Sequence, residues 1–240
     1  MLPEIYLVIP SYALMATVGL MAAVLYIYLI KNQIRLSFFD IIQYLLCSLI
    51  IGFICARLLF VIGIIPSVGI TNFNQIIYYF LNGGIVFYGG LIGVIISILL
   101  MSKVKNRDGK KILNYIAPAI PLFHAFARFG CLLAGCCYGI TSNWGVVLAN
   151  EPDVVRLPVQ AFESICNIII FVILKIHIKK KNNDNNLFIY LILYAICRFV
   201  LEFFRGDTIR GIWIFGLSTA QLISVVIIII SVICKLRVKE

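Results

Sequence analysis

Charged residues are scarce in this sequence, and their scarcity excludes an ordinary soluble domain. Only 12% of the 240 residues are charged and 62% are hydrophobic, which gives a mean hydropathy of +1.07. A soluble domain of this length carries about 25% charged residues. The composition therefore predicts an integral membrane protein. No stretch is polar enough for a separate soluble domain, so we expect a single polytopic membrane domain over residues 1–240.

Two further patterns are missing. The first ten residues contain Glu4 and no basic segment, so we expect no cleavable signal peptide. The eight cysteines lack the spacing of a disulfide framework or of a zinc ribbon with two C-x-x-C pairs. Five of them lie in apolar stretches, where a free cysteine behaves as a small hydrophobic residue. Only Cys131, Cys136 and Cys137 form a cluster in the sequence.

Long apolar stretches make up most of the chain instead. A helix needs about 20 apolar residues to cross the hydrocarbon core of a bilayer. Seven stretches reach or approach that length: 9–30, 41–65, 84–102, 113–134, 158–178, 187–204 and 215–234. The sequence therefore predicts an all-α integral membrane protein with seven transmembrane helices.

The basic residues indicate how these helices are oriented. Of the 20 Lys and Arg, 14 lie at or after the ends of the first, third, fifth and seventh stretches, whereas the opposite loops contain only Arg156, Arg205 and Arg210. Cytoplasmic loops are enriched in Lys and Arg. We therefore expect the N-terminus outside the cell and the C-terminus in the cytoplasm. The same distribution accounts for the net charge of +10 without a nucleic-acid partner.

Three arginines interrupt the apolar stretches: Arg57, Arg128 and Arg198. A guanidinium at membrane depth is costly, so it usually faces a polar cavity or a charged ligand. One explanation is an ion pair with Glu163 or Glu202, or a side chain that extends to the interface. The other is a bound phosphate, which matches the parallel donors of a guanidinium. Because three cations outnumber the two nearby acids, we expect an anionic phospholipid headgroup as ligand.

One histidine and several glycines accompany these arginines. His124 precedes Arg128 by four residues, so both lie on the same helix face. It is either a base or, as is more usual, an interior hydrogen-bond donor. Gly89 and Gly90 either allow two helices to pack closely or let the backbone approach a ligand. For Gly93 we expect close packing alone.

With these residues and motifs, the sequence resembles the prolipoprotein diacylglyceryl transferase family. Its signature, D-x-x-A-P-x-x-P and then G-R-x-G-N-x-x-N-G-E-x-x-G, is matched in part by residues 114–121 and 127–139. Further family motifs follow in the right order along nearly the whole chain. The resemblance implies seven spans with the N-terminus outside. It also implies an enzyme of the bacterial plasma membrane that moves a diacylglyceryl group from phosphatidylglycerol to a cysteine thiol of a lipoprotein precursor.

The resemblance also implies roles for individual residues. Arg128 and Arg198 stand at the family's essential arginines, and we expect them to hold the phosphate and stabilise charge on the leaving group. Tyr88 stands at the family's histidine and is expected to donate a hydrogen bond to the phosphate or glycerol. The expected substrate-binding residues are Tyr12, Arg57, Gly89, Gly90, Gly130, Cys131, Gly139, Gln160, Glu163, Tyr194, Glu202 and Arg205. No metal and no other cofactor is implied, and we expect a monomer.

The sequence departs from the family at its reaction centre. Besides Tyr88, it has Asn114 for the signature Asp, Cys131 and Ala134 for the two Asn, and Cys136 for the Glu. Three interpretations stay open: a transferase of the ordinary kind, a transferase with a different acceptor, and an inactive phospholipid-binding protein. The clustered thiols are small residues in a packed turn, a nucleophile that carries the lipid, or partners in a disulfide.

Overall fold

The computed structural model of this chain describes residues 4–5, 9–68, 72–149, 151–179, 185–206 and 216–237. The chain forms two compact units. The first consists of Met1–Leu29 and Asn114–Glu240, and the second of Ile30–Leu113. The single membrane domain predicted over residues 1–240 stays a prediction.

Helices account for most of the described residues. They are α1 (Ser11–Ile30), α2 (Phe38–Val68), α3 (Phe73–Asn82), α4 (Phe87–Val104), α5 (Gly109–Ile116), α6 (Ala119–Ala134), α7 (Val159–Lys179), α8 (Asn186–Glu202) and α9 (Thr219–Arg237). In the described part of the chain, five segments are long and apolar enough to cross a membrane: Ser11–Ile30, Phe38–Ile65, Phe87–Val104, Gly109–Ala134 and Val159–Lys179. The predicted class, an all-α integral membrane protein, is confirmed. The sixth and seventh predicted spans correspond to α8, with 17 residues, and to α9, whose apolar part Thr219–Cys234 is also short.

The fourth predicted span consists of two helices separated by Ala117 and Pro118. Proline has no amide hydrogen and disfavours the α conformation at the residue before it, which explains the break between α5 and α6. A break leaves backbone carbonyls without their helical partners. One of them, the carbonyl of Tyr115, accepts a hydrogen bond from the Tyr26 hydroxyl of α1 at 3.2 Å. The side chain of Asn114 accepts from the Leu187 amide at the start of α8 at 3.2 Å.

Two segments expected only as outer loops contain regular structure. Residues 140–158 include an antiparallel hairpin of β3 (Thr141–Leu148) and β4 (Glu151–Arg156), in which Val147 lies opposite Val155. Residues 66–84 include α3, whose first turn is capped because the side chain of Asn72 accepts from the Gln75 amide at 3.0 Å. Near the N-terminus, the short strands β1 (Glu4–Ile5) and β2 (Ile9–Pro10) also pair. These elements add to the helical fold and do not change its class.

In the first unit, α1 and α6 approach closely because both carry glycines at their contact. A Cβ at Gly19 would lie 2.8 Å from the Cβ of Phe126, and one at Gly130 would lie 2.9 Å from the Cβ of Met15. The other side of α6 contacts α7, where the Ser164 hydroxyl donates to an α6 carbonyl at 2.8 Å. Helix α6 is thus held between two neighbours, and its polar residues lie in the interior of this unit.

In the second unit, α2 and α4 pack through small residues and hydroxyl groups. A Cβ at Gly93 would lie 2.7 Å from the Cα of Gly52, and one at Gly89 would lie 2.6 Å from the carbonyl oxygen of Cys55. The packing role expected for Gly93 is confirmed, and Gly89 shares it. Gly90 differs, because its nearest neighbour would be the Cβ of Ala56 at an ordinary 3.8 Å.

These distances predict opposite effects for two alanine substitutions in one helix. Gly90→Ala should be neutral or stabilising, because a helical glycine costs about 0.5–1 kcal/mol relative to alanine. Gly93→Ala should destabilise the protein, because overpacking against backbone costs about 1–3 kcal/mol. Unfolding titrations in mixed micelles, followed by circular dichroism, measure both values. Equal stability of the two variants would contradict the packing described for α2 and α4.

Candidate active site

A buried carboxylate on α7, that of Glu163, is the centre of a polar cluster in the first unit. Its side chain is 2% exposed. The Nε of Arg128 on α6 lies 3.1 Å from Glu163 Oε1, and the Nη1 of Arg198 on α8 lies 3.4 Å from Oε2. Two arginines that are 70 positions apart in the chain therefore converge on one carboxylate. This is the ion pairing that was the first explanation for arginines inside apolar stretches.

Two further side chains complete the surroundings of this carboxylate. The Tyr194 hydroxyl on α8 donates to Glu163 Oε1 at 3.3 Å. His124 on α6 places its Nε2 3.8 Å from the same oxygen and accepts a hydrogen bond from Arg128 Nε at 3.2 Å. A ring nitrogen that accepts is unprotonated, so His124 is neutral in this arrangement. The histidine acts as an interior partner of Arg128, and it is an acceptor where the sequence suggested a donor.

The two arginines differ in how many of their donors are occupied. Arg198 also reaches Glu202 on its own helix, with Nη2 2.6 Å from Oε2, so its guanidinium joins two carboxylates. Arg128 uses only Nε for its contacts with Glu163 and His124. Within the described part of the chain, no acceptor forms a hydrogen bond with Nη1 or Nη2 of Arg128, and its side chain is 14% exposed. Among the described residues, this end of the guanidinium therefore has no hydrogen-bond partner.

The turn after α6 brings a third arginine to the same region. Gly135 has a φ of 72°, and the Cys136 amide donates to the Cys131 carbonyl at 3.1 Å, which ends the helix in a Schellman motif. Gly139 then forms an antiparallel bridge with Arg205. A Cβ at Gly139 would lie 2.4 Å from the Leu157 carbonyl oxygen, so only glycine fits here. The buried residue Arg205 is thereby anchored beside the turn.

Three thiols meet at this turn. The Sγ atoms of Cys131, Cys136 and Cys137 all lie within 4.8 Å of one another, and all eight cysteines of the chain are free thiols. Gln160 supports the turn by donating from Nε2 to the Cys136 carbonyl at 2.6 Å. Hydrogen bonds from the other two thiols, together with the positive charges of Arg128 and Arg205, lower the pKa of the Cys137 thiol. The clustered thiols therefore form no disulfide, and that alternative is wrong.

Tyr12 and Gly130 lie next to the cluster on the side of α1. A Cβ at Gly130 would lie 3.2 Å from the Cα of Tyr12, so this glycine lets α1 approach α6 one turn beyond Met15. The Tyr12 side chain is partly exposed, at 46% for the whole residue. Its charge interactions include Arg128 and the three clustered thiols. The first unit thus brings together ten of the predicted residues: Tyr12, Arg128, Gly130, Cys131, Gly139, Gln160, Glu163, Tyr194, Arg198 and Arg205, with Glu202 reached through Arg198.

The second unit contains the other four predicted residues: Arg57, Tyr88, Gly89 and Gly90. Arg57 Nη1 donates to the Gly83 carbonyl, and the guanidinium lies over the Phe53 ring, 5.2 Å from its centroid. The Nε of Arg57 is buried, with no hydrogen-bond partner among the described residues. Tyr88 is buried in the first turn of α4 and contacts Phe87 edge to face.

Sequence reasoning missed one polar residue of the cluster, Asn167. It is fully buried, its Nδ2 donates to the Glu163 carbonyl at 2.8 Å, and its Oδ1 has no partner in the part of the chain that the structure describes. The signal was present in α7. Gln160, Glu163 and Asn167 follow one another at spacings of three and four, which places all three on one face of an otherwise apolar helix.

The fold and this cluster define a multi-pass helical membrane protein with a buried arginine–carboxylate site. The model of the prolipoprotein diacylglyceryl transferase family matches residues 2–237. The phosphatidylglycerol–prolipoprotein diacylglyceryl transferase of Clostridium tetani is 34% identical over 233 residues, which cover 92% of this chain and 90% of the relative. A second transferase of that name from Clostridium perfringens is 31% identical over 236 residues, covering 95% and 91%. The chain belongs to the prolipoprotein diacylglyceryl transferase family, and the resemblance inferred from the motifs is confirmed.

The shared carboxylate makes a stability prediction. Glu163→Gln should destabilise the protein by about 3–5 kcal/mol, because it leaves the buried Arg128 guanidinium without an opposite charge. Glu151→Gln is the matched control, since Glu151 pairs with Arg156 at 2.7 Å but is 33% exposed, and such a pair contributes at most about 1 kcal/mol. Unfolding titrations in micelles compare the two. Similar losses for both variants would mean that Glu163 does not hold the cluster together.

Proposed function

We propose that this protein is a phosphatidylglycerol–prolipoprotein diacylglyceryl transferase of the bacterial plasma membrane. It moves a diacylglyceryl group from an anionic phospholipid to the cysteine thiol of a lipoprotein precursor. The names and identities of the relatives support this reaction. The observation that carries the proposal for this chain is the arrangement around Glu163, which holds Arg128 by Nε and leaves its Nη1 and Nη2 for a phosphate.

The charges of the cluster favour an anionic substrate. The cluster contains three guanidinium groups, those of Arg128, Arg198 and Arg205. Two carboxylates, those of Glu163 and Glu202, interact electrostatically with them. One positive charge therefore exceeds the negative charge of this group. A phosphodiester carries one negative charge and accepts parallel hydrogen bonds from a guanidinium. Phosphatidylglycerol, with one such group, matches both the charge and the donors.

In the proposed reaction the acceptor thiolate attacks the glycerol carbon that bears the phosphate ester. A C–S bond forms, the C–O bond to phosphate breaks, and glycerol phosphate leaves with the negative charge, while the thiol proton passes to solvent or to the leaving group. Arg128 stabilises the charge that grows on the leaving phosphate. Arg198 contacts both Glu163 and Glu202. It positions the Glu163 carboxylate and, through that carboxylate, Arg128. Tyr88 is a proposed hydrogen-bond donor, since a phenol with an ordinary pKa of about 10 is a poor base.

An apolar groove beside the cluster suits the acyl chains of such a substrate. It has a volume of about 190 Å³ and lies between α1, α6 and α7. Its lining includes Met15, Phe126 and Ile168, together with Phe129, the residue after Arg128. A lipid whose phosphate binds Arg128 would place an acyl chain against this apolar surface.

Seven spans, with α8 and α9 as the sixth and seventh, complete the proposal. With the N-terminus outside, the turn at residues 135–139 and the β3–β4 hairpin face the outer side, where a precursor peptide arrives. The opposite side then contains Asp40, which pairs with Lys105 and with Arg107, the latter at 3.0 Å. The basic loops predicted from the sequence lie on that side. We propose a monomer that binds no nucleic acid.

The phosphate role of Arg128 is testable with a charge-conserving variant. Arg128→Lys should lower turnover on the order of 10²–10³-fold, because a lysine lacks the planar fork and one preorganised donor is lost. Transfer of label from phosphatidylglycerol in proteoliposomes to a peptide with a lipobox cysteine measures the effect. Arg107→Lys, in a cytoplasmic ion pair, is the control and should keep full activity. If the unmodified protein converts no anionic phospholipid with any thiol peptide, the alternative of an inactive phospholipid-binding protein replaces this proposal.

Reporter fusions test the proposed topology. Alkaline phosphatase, which folds only outside the cytoplasm, should be inactive when fused after Glu240 and active when the chain is truncated and fused after Ala149. The physical reason is the excess of Lys and Arg in the loops on the C-terminal side. Phosphatase activity from the fusion after Glu240 would refute an odd number of spans with the N-terminus outside.

A further inference from the structure

Three thiols lie close together at the end of α6 and in the turn that follows it: Cys131, Cys136 and Cys137. Their Sγ atoms all lie within 4.8 Å of one another. A Zn–S bond of about 2.3 Å places the sulfur atoms of a tetrahedral site roughly 3.8 Å apart. Cys131, Cys136 and Cys137 therefore need only small side-chain movements to share one ion. Their burial is graded, from buried Cys131 through Cys137 to exposed Cys136, so the cluster is open on one side.

The backbone around these thiols is held in place before any ligand binds. Cys131 belongs to the last turn of α6, and its carbonyl accepts the Cys136 amide at 3.1 Å. The Gln160 side chain on α7 holds the Cys136 carbonyl at 2.6 Å. The Gly206 amide donates to the Tyr138 carbonyl at 3.0 Å and secures the far end of the turn. A preorganised set of donors binds a metal ion with less loss of conformational freedom.

The charges near the cluster suit a metal bound by thiolates. Three thiolates and one divalent ion carry a net charge of −1. The guanidinium groups of Arg128 and Arg205 both act electrostatically on Cys137, and they lower the cost of placing thiolates there. Without the ion, a second or third thiolate would be repelled by the first. A bound cation offsets this repulsion. Thiolates select soft ions such as Zn²⁺ or Cu(I) over Mg²⁺ or Ca²⁺.

We propose that Cys131, Cys136 and Cys137 form a three-thiolate site for one thiophilic metal ion such as Zn²⁺, with a fourth coordination position open to an incoming thiol. Each protein thiol gives up its proton to solvent when the ion binds. The incoming thiol is that of the acceptor cysteine, a point that rests on the proposed function. It enters as a thiolate on the Cys136 side, and its proton likewise passes to solvent. The sequence implied no metal, and its cysteines lack the spacing of a zinc ribbon with two C-x-x-C pairs.

Titration with Co²⁺ tests the metal site without phospholipid or turnover. The full chain, purified in detergent, reduced and freed of metal by a chelator, should bind one Co²⁺ with thiolate charge-transfer absorption and the visible bands of tetrahedral Co²⁺. Zn²⁺ should displace it. Cys136→Ala and Cys137→Ala should each weaken Co²⁺ binding by at least about 100-fold, since even residues behind the ligands contribute 10–100-fold. Cys197→Ala, a thiol on α8 away from the turn, is the matched control and should bind Co²⁺ normally.

The fourth position is tested on the Co²⁺-loaded protein. A peptide with a single cysteine should shift the visible bands, whereas the same peptide with serine should not. Unchanged bands would overturn the open position, and Co²⁺ binding that is equal in Cys137→Ala and unmodified protein would overturn the site. Variants are compared only when they elute from a size-exclusion column as the unmodified protein does. Because Cys136 is exposed, its substitution should not disturb the core. A protein that binds Co²⁺ at these thiols but transfers no lipid would contradict the proposed function alone.

Discussion

The polar interior of the first unit depends on the ion pairs that the Glu163 carboxylate forms. Burying a guanidinium is costly unless an opposite charge and hydrogen bonds compensate for the lost water. Here one carboxylate compensates for Arg128 and for part of Arg198, and Tyr194 donates to it as well. Helices α6, α7 and α8 must therefore keep their relative rotation, because a turn of any one would separate a charge from its partner.

That arrangement also explains why the two arginines differ in what they offer a ligand. Arg198 lies between Glu163 and Glu202, and both its Nη1 and its Nη2 contact a carboxylate of the protein. Arg128 is held by Nε alone, and its Nη1 and Nη2 form no hydrogen bond with the described residues. A phospholipid is itself charged at one end and apolar at the other. In the proposed function, Arg128 and the groove between α1, α6 and α7 provide these two kinds of surface.

Helix termination connects this cluster to the turn at residues 135–139. The left-handed Gly135 ends α6, and Gly139 lets the chain pass against Leu157 and bridge to Arg205. The family signature has Asn and Glu at positions that here are Cys131 and Cys136. The arginines are thus retained while the neighbouring oxygen and nitrogen groups are replaced by sulfur.

The sequence by itself determined the membrane class, the family and the identity of most residues around Glu163. Hydropathy, the positions of basic residues and motif order are local properties, and they can be read without knowing which helices touch. Tertiary structure alone decided that Arg128 and Arg198 share a carboxylate and that three thiols lie within 4.8 Å. It also decided the pairing of β3 with β4. These contacts join residues on different helices or across a turn, where packing and backbone dihedrals set distances that spacing along one helix does not contain.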